Sequence, residues 1–295
     1  VSGAVYHLGL IGYPLGHSRS PELHHAALQV AGFSGEYRLF PITPDAQGEA
    51  AIHSLIEEIR HGTLHGLNVT IPHKKTVIPY LDQMSEVARA VGAVNTIYRD
   101  STGRVIGDNT DVPGFLQAVQ PVLPPQRGRA LVMGAGGSAR AVVYALATSG
   151  WQVTVLARRE EQASSLAEEI GAEGLKDLIS PMAWSNDAFS QLRSVRLVVN
   201  TTPVGMFPHV DECPWPEDLA LPSSAGVYDL IYNPVVTDLI RRAKQAGLQA
   251  CSGAGMLVAQ AALAFQRWTG CEPPYQVMQE AMQASLTNPF PKETL

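Results

Sequence analysis

The residues most able to do chemistry lie in a few short polar runs. The first is Asn68-Val69-Thr70-Ile71-Pro72-His73-Lys74, which follows a strand reading over residues 65–68 and ends in a lysine at the mouth of an expected helix. A donating cluster at the carboxyl end of a strand is where an open α/β sheet holds its ligand. The ordinary alternative is a strand-to-helix turn with a solvated lysine. The second run is Gly107-Asp108-Asn109-Thr110-Asp111, a polar knot before a helix reading from Val112. The third is Gly134-Ala135-Gly136-Gly137-Ser138-Ala139, a G-x-G-x-x-A pattern between a strand at 130–133 and a helix at 138–150. In that setting the first glycine permits a tight turn, the second lets backbone approach a pyrophosphate, and Ala139 lets helix pack closely on strand. A dinucleotide site is therefore expected. The next strand, 153–157, ends in Arg158-Arg159, where a site for NAD would carry an acidic residue for the ribose diol. Guanidinium groups suit a 2'-phosphate, so NADP is expected; on the alternative, these arginines pair with Glu160 and Glu161 on the surface.

The hydrophobic pattern supplies the elements that must hold these runs. Residues 7–12 read as a buried strand, followed by a loop rich in hydroxyls and a helix for which Ser20 is the expected cap, Pro21 the first helical residue and Glu22 a partner of the positive helix end. A strand at 37–42 and a helix marked by Ile52, Leu55, Ile56 and Ile59 come next, and the unit of strand, loop and helix repeats across Asn68–Lys74. A short helix at 85–92 leads into strands at 93–98 and 104–107. The proline-bearing segment 121–128 separates these hydroxyl-rich loops from the nucleotide-binding pattern. Beyond the glycine run, strands are expected at 197–200, 226–230 and 248–251, with a helix at 237–247. Thr201-Thr202-Pro203-Val204-Gly205-Met206 is a small-residue loop that lets a flat ring lie against backbone, and 208–222 reads as a surface excursion. Gly253-Ala254-Gly255-Met256 opens an apolar helix to Trp268 carrying one polar residue, Gln260. The last helix is expected over 275–285, with the tail beyond Pro289 frayed.

With 295 residues the chain is long enough for two domains, and 45% hydrophobic against 16% charged residues describes a folded globular protein. A net charge of -6 without a basic run argues against nucleic acid as a partner. Cys213, Cys251 and Cys271 are scattered and odd in number, and read as reduced core thiols. No apolar stretch is long enough to span a bilayer, and the start lacks the basic region of a secretion signal, so a cytoplasmic protein is expected. His61 and His65 have metal-like spacing, but Gly62 interrupts the helix and no metal is expected.

Taken together and in order, several of these stretches resemble the shikimate dehydrogenase family. They are Gly12 with Pro14 and His17-Ser18-Arg19-Ser20-Pro21, Asn68-Val69-Thr70 with Pro72 and Lys74, and Gly92-Ala93-Val94-Asn95-Thr96. The series continues through Gly107–Asp111, the glycine run and Gly253 to Ala261 with Gln260, and spans nearly the whole chain. The resemblance implies reversible NADPH-dependent reduction of 3-dehydroshikimate to shikimate, in aromatic amino-acid (chorismate) biosynthesis. It implies an α/β fold: an N-terminal substrate domain over 1–110, with 253–295 returning to it, a Rossmann domain over 111–252, and a cleft between them. Lys74 and Asp111 would be catalytic. Ser18, Ser20 and Tyr232 would hold the substrate carboxylate, and Asn68, Thr70, Asn95, Asp111 and Gln260 its hydroxyls and ring. For Ser20 and Thr70 local capping, and for Gln260 a backbone bond on its own helix, are the competing readings. Gly134 to Ala139, Arg158, Arg159, Thr201, Thr202, Gly253 and Met256 would bind NADP, and the protein would act as a monomer or homodimer on a small molecule.

Two stretches depart from the family pattern. Ala157-Arg158-Arg159 replaces the frequent Asn-Arg-Thr, so that only the central arginine keeps its usual role, with Arg159 free to reinforce it. Ser252 stands where an aspartate often precedes the Gly253 turn. Two alternatives stay open: a quinate/shikimate dehydrogenase with broader substrate or NAD use, and a non-catalytic relative that senses ligand. Arg158 and Ser20 speak against the first, and the presence of both Lys74 and Asp111 against the second.

Overall fold

The structure is a computed structural model that describes residues 3–287. Pro289 and the tail expected to fray lie outside the described residues. The chain divides into two units, one of residues 1–89, 93–110 and 257–295 and the other of residues 90–92 and 111–256.

In the first unit the order is β1 (Val5–Gly12), α1 (Ser20–Val30), β2 (Ser34–Pro41), α2 (Ala46–His61), β3 (Gly66–Val69), β4 (Gln83–Met84), α3 (Glu86–Val91, whose end falls in the second unit), β5 (Thr96–Arg99) and β6 (Val105–Asp108). The strands form one mixed sheet in the order β2-β1-β3-β5-β6-β4. Ile52, Leu55, Ile56 and Ile59 recur at helical spacing and are all buried, so α2 lays one continuous stripe into a core shared with Ile11, Leu67, Val69 and Ile97. Asp45 caps α2 by accepting from the Gly48 amide at 2.8 Å, and Gly62, at φ 78°, ends it in the left-handed conformation that glycine tolerates.

The helix expected after Lys74 is absent. Residues 71–77 form consecutive turns that run into a single 3-10 turn, Ile78–Tyr80. Pro79 contributes to this, because it has no amide to donate to Lys75 O as a continuing α-helix would require, and Lys75 O accepts instead from the Ile78 amide. The backbone bonds mix Val77 N to His73 O at 3.2 Å with Ile78 N to Lys75 O at 3.2 Å and Tyr80 N to Val77 O at 3.1 Å. Ser20 is likewise not a cap: it is the first helical residue of α1, Arg19 holds the cap position, and no side chain caps the helix.

The second unit begins with α4 (Asp111–Ala118) and continues through β7 (Arg129–Met133), α5 (Gly137–Thr148), β8 (Gln152–Ala157), α6 (Glu160–Ile170), β9 (Ile179–Ala183), α7 (Asn186–Ser190), β10 (Val195–Asn200), β11 (Gly226–Asp229), α8 (Asp238–Gln245) and β12 (Ala250–Ser252). Its six strands are all parallel, in the order β9-β8-β7-β10-β11-β12. That is the doubly wound order of a Rossmann sheet, which reverses direction between β7 and β10 and holds ligands outside the carboxyl ends of those strands. The excursion 208–222 has no regular element yet is anchored by Trp215, which is buried and donates to Leu219 O at 3.1 Å.

The chain then returns to the first unit with α9 (Ala254–Thr269), from residue 257 onward, and α10 (Tyr275–Thr287). Trp268 of α9 lies against Gly66 of β3, where a side chain's first carbon would meet the indole nitrogen at 2.0 Å. The same nitrogen donates to Ile97 O at 3.0 Å, so α9 is fastened to two adjacent strands. The three cysteines are part-buried rather than core residues, and none is bonded to another. None of the described helices is long and apolar enough to cross a membrane.

Candidate active site

The polar residues singled out in the first unit converge on the carboxyl end of β3 and the start of β5. Asn68, buried on β3, accepts from the Tyr37 hydroxyl at 2.8 Å, while its amide nitrogen donates to Asn95 O at 3.2 Å and to the Thr96 hydroxyl at 3.3 Å. Asn95 is equally committed: its Oδ1 accepts from the Thr110 amide at 2.7 Å, and its Nδ2 donates to the Thr110 hydroxyl at 3.0 Å and to Gln260 Oε1 at 3.5 Å. The Gln260 Nε2 donates to Leu257 O at 2.8 Å, so one end of this amide makes the local helix bond and the other faces Asn95. The result is a linked array of Tyr37, Asn68, Thr96, Asn95, Thr110 and Gln260, all buried. Bonds at both ends of each amide fix which way its oxygen and its NH2 point, and a fixed array of this kind is what positional recognition of a hydroxylated ligand needs.

Lys74 is buried at 7% exposure, and its carbonyl accepts from the Val94 amide at 2.8 Å, which holds it next to the Asn95 end of the array. Thr70 is half-buried at the end of β3, with its amide donating to Ile11 O at 2.8 Å. Ser18 is half-buried, and its hydroxyl accepts from the Ser20 amide at 3.3 Å; Ser20 is buried at the start of α1. Tyr37 and Thr110 were not singled out as site residues. Tyr37 carries no sequence signal, since its partner Asn68 lies on another strand, whereas Thr110 sits inside a polar run already marked.

In the second unit Gly134 adopts φ 111°, and a side chain there would meet the Thr201 hydroxyl at 2.5 Å. The loops after β7 and β10 therefore touch at the point where strand order reverses. Gly136 is the cap residue of α5, no side chain caps that helix, and a side chain at Gly136 would enter open space. Gly137 and Ser138 begin α5, and Ala139 is fully buried beneath. The open, positive end of a helix behind a glycine turn fits a dinucleotide pyrophosphate. Arg158 and Arg159 are exposed at the end of β8, with Arg159 in the cap position of α6. Thr201 donates to Met133 O at 2.7 Å, and Thr202 is half-buried beside it. Asp111, buried, is the first residue of α4; Tyr232 is half-buried after β11; Gly253 and Met256 are buried around the start of α9. Among the described residues no group of three or more His, Cys, Asp or Glu side chains is placed to hold a metal.

A family model of the shikimate dehydrogenase substrate binding domain matches residues 10–97, and one of the shikimate 5'-dehydrogenase C-terminal domain matches 253–283. The shikimate dehydrogenase (NADP(+)) of Salinibacter ruber is 40% identical over 285 residues, which cover 93% of this chain and 96% of that protein. The chain belongs to the shikimate dehydrogenase family. The enzyme of the same name from Shouchella clausii is also 40% identical, over 95% of this chain and 98% of its own. Among solved structures, shikimate 5-dehydrogenase from Thermus thermophilus, in complex with NADP(H) and shikimate, superposes with a TM-score of 0.81 at 36% identity, covering 95% of this chain and 100% of that one. Quinate dehydrogenase from Corynebacterium glutamicum, in complex with NAD, gives 0.84 at 32% identity over 96% and 100%. Both domain matches of the family fall where this chain carries its array: the first spans Ser18 to Asn95, the second Gln260.

Proposed function

We propose that this chain is a cytoplasmic oxidoreductase that reversibly reduces the ketone of 3-dehydroshikimate to the alcohol of shikimate with NADPH, a step of aromatic amino-acid biosynthesis. The observation that carries this reading is the linked array Asn68, Asn95, Thr110 and Gln260 next to a buried lysine, in a member of this family. A ring bearing several hydroxyls needs many short donors and acceptors, because each unpaired buried polar atom costs about 1–3 kcal/mol.

On this reading Gly134 to Ala139 would hold NADPH, with Arg158 and Arg159 for its 2'-phosphate, and the bound cofactor would supply a hydride to the ketone carbon. Lys74 donates a proton to the ketone oxygen and stabilises the negative charge that grows there. In the oxidative direction the same nitrogen takes the hydroxyl proton. Asp111 accepts from a substrate hydroxyl and orients the lysine. Ser18, Ser20 and Tyr232 hold the carboxylate, while Asn68, Thr70, Asn95 and Gln260 fix the ring so that the carbonyl faces the incoming hydride. Thr201, Thr202, Gly253 and Met256 would flank the nicotinamide.

The likeness to a quinate dehydrogenase that binds NAD gives a second reading, with broader substrate and cofactor use. A spectrophotometric assay of shikimate and quinate, each with NADP and with NAD, separates the two. Turnover confined to shikimate with NADP supports the first, comparable turnover of quinate with NAD supports the second, and no turnover in any pairing overturns both in favour of a ligand-sensing relative.

A further inference from the structure

The carboxyl ends of β10 and β11 carry a buried pair that no step of the proposed reaction uses. Asn200 and Asp229 are register partners on these adjacent parallel strands, and both are fully buried. Asn200 Nδ2 donates to Asp229 Oδ1 at 2.9 Å and to Val204 O at 3.4 Å. Its Oδ1 accepts from the Thr202 amide at 2.9 Å and from the Thr202 hydroxyl at 2.7 Å. Asp229 also accepts from the Ile231 amide at 3.1 Å and, through its other oxygen, from the Thr237 hydroxyl at 2.7 Å. The Leu230 amide closes the circuit by donating to Asn200 O at 2.9 Å.

Apart from the bond that joins the pair, every one of these bonds reaches a loop at the ligand end of the sheet. One set grips Thr202 and Val204, in the small-residue loop; the other grips Leu230, Ile231 and Thr237, which bracket Tyr232. The direction of the amide is fixed by both neighbours. Turned over, Asn200 would set its oxygen against the Asp229 carboxylate and its NH2 against the Thr202 amide, two repulsions in a site closed to water. A pair spent only on stabilising the sheet would have no reason to reach into two loops that differ in sequence and length.

We propose that Asn200 and Asp229 are positioning residues, a single clamp that fixes the Thr201–Met206 loop against the nicotinamide and the Tyr232 segment against the substrate carboxylate. The inference rests on the proposed reaction, and the clamp adds to it the means by which one buried contact sets the aim of both ligands. Because the two residues act as a unit, their removal is non-additive.

The test uses the full-length enzyme and the variants Asn200→Ala, Asp229→Asn and their combination, with Thr237→Val and Thr237→Ser as milder partners that leave the strand pair intact. KM for NADPH, KM for shikimate and kcat are measured alongside melting temperature and the fraction of folded protein. The clamp predicts that both KM values rise roughly tenfold or more in Asn200→Ala and that the double variant is no worse than the worse single one. It also predicts that Thr237→Val shifts both KM values while Thr237→Ser, which keeps the hydroxyl, restores them. A merely structural pair would lower the melting temperature and the folded fraction with both KM values within about twofold of the parent, and that result in the folded Thr237 variants overturns the proposal. If the parent enzyme turns over neither shikimate nor quinate with either cofactor, the proposed reaction itself is what fails.

Discussion

Lys74 sits buried beside an array whose amides are already committed to one another, so its replacement separates chemistry from binding. Lys74→Ala is expected to lower kcat by about 10²–10⁴-fold, the range that one positioned proton donor contributes. NADPH affinity, followed by the change in its fluorescence on binding, should stay within about twofold; a near-normal rate would sink the assignment. Tyr37 offers a subtler lesion. Removing its hydroxyl leaves Asn68 Oδ1 buried without that donor, at a cost of about 1–3 kcal/mol, and frees the amide to turn. Tyr37→Phe should therefore raise KM for shikimate several-fold while leaving KM for NADPH unchanged, and equal changes in both would count against an ordering role for this hydroxyl. Asp229 gives the pH dependence. Burial pushes its carboxyl up to about 6, against the pull of bonds from Thr237, Ile231 and Asn200. Between the ordinary value near 3.8 and about 6 the folded protein binds the proton more tightly than the unfolded chain, so this group's contribution to stability falls as pH rises through that window. Melting temperatures measured from pH 4 to 7 should show that component disappear in Asp229→Asn. Unchanged pH dependence would exclude it.

The glycine run was legible in the sequence because its signals are local: a strand, a turn that needs a positive φ at Gly134, and a helix follow one another within twenty residues. The stretch after Lys74 was not. A helix reading after Lys74 ignores the amide that Pro79 lacks, and the chain settles into turns. Strand β9 escaped notice for a related reason. It carries Ser180 and Pro181 and reads poorly as a strand, yet it lies at the sheet edge, where a missing amide costs little. Tyr37 and the Asn200–Asp229 pair were invisible because their partners are set by sheet register, which no single stretch of sequence displays. At the end of β8 the two exposed arginines carry a prediction for the whole strand-to-helix junction. Arg158→Ala should raise KM for NADPH about tenfold or more while changing that for NADH little, since only the former offers a phosphate for charge-assisted bonding. Equal losses for the two cofactors would argue that the junction acts on something they share.

At the scale of the molecule, the two units carry separate assignments: the hydroxyl-binding array lies in the first and the glycine turn in the second. Hydrogen exchange read by mass spectrometry should then resolve the ligands by unit. Shikimate alone is expected to slow exchange chiefly around Thr70 and Asn95, and NADPH alone chiefly over Gly134–Ala139 and Thr201–Val204. Protection of Gly134–Ala139 by shikimate alone, or of Thr70 and Asn95 by NADPH alone, would overturn the division of labour. The fastening of Trp268 to Gly66 and Ile97 has a different kind of consequence, one for the nascent chain. At ~5–20 residues per second, strands β3 and β5 leave the ribosome on the order of ten seconds or more before the indole that covers them exists. The whole of the intervening Rossmann unit is synthesised in that interval and has all its strands in hand. Of the two units, the first to be made is thus the last that can close, and during synthesis its sheet, with the lysine just past the carboxyl end of β3, waits on a tryptophan encoded beyond the whole Rossmann unit.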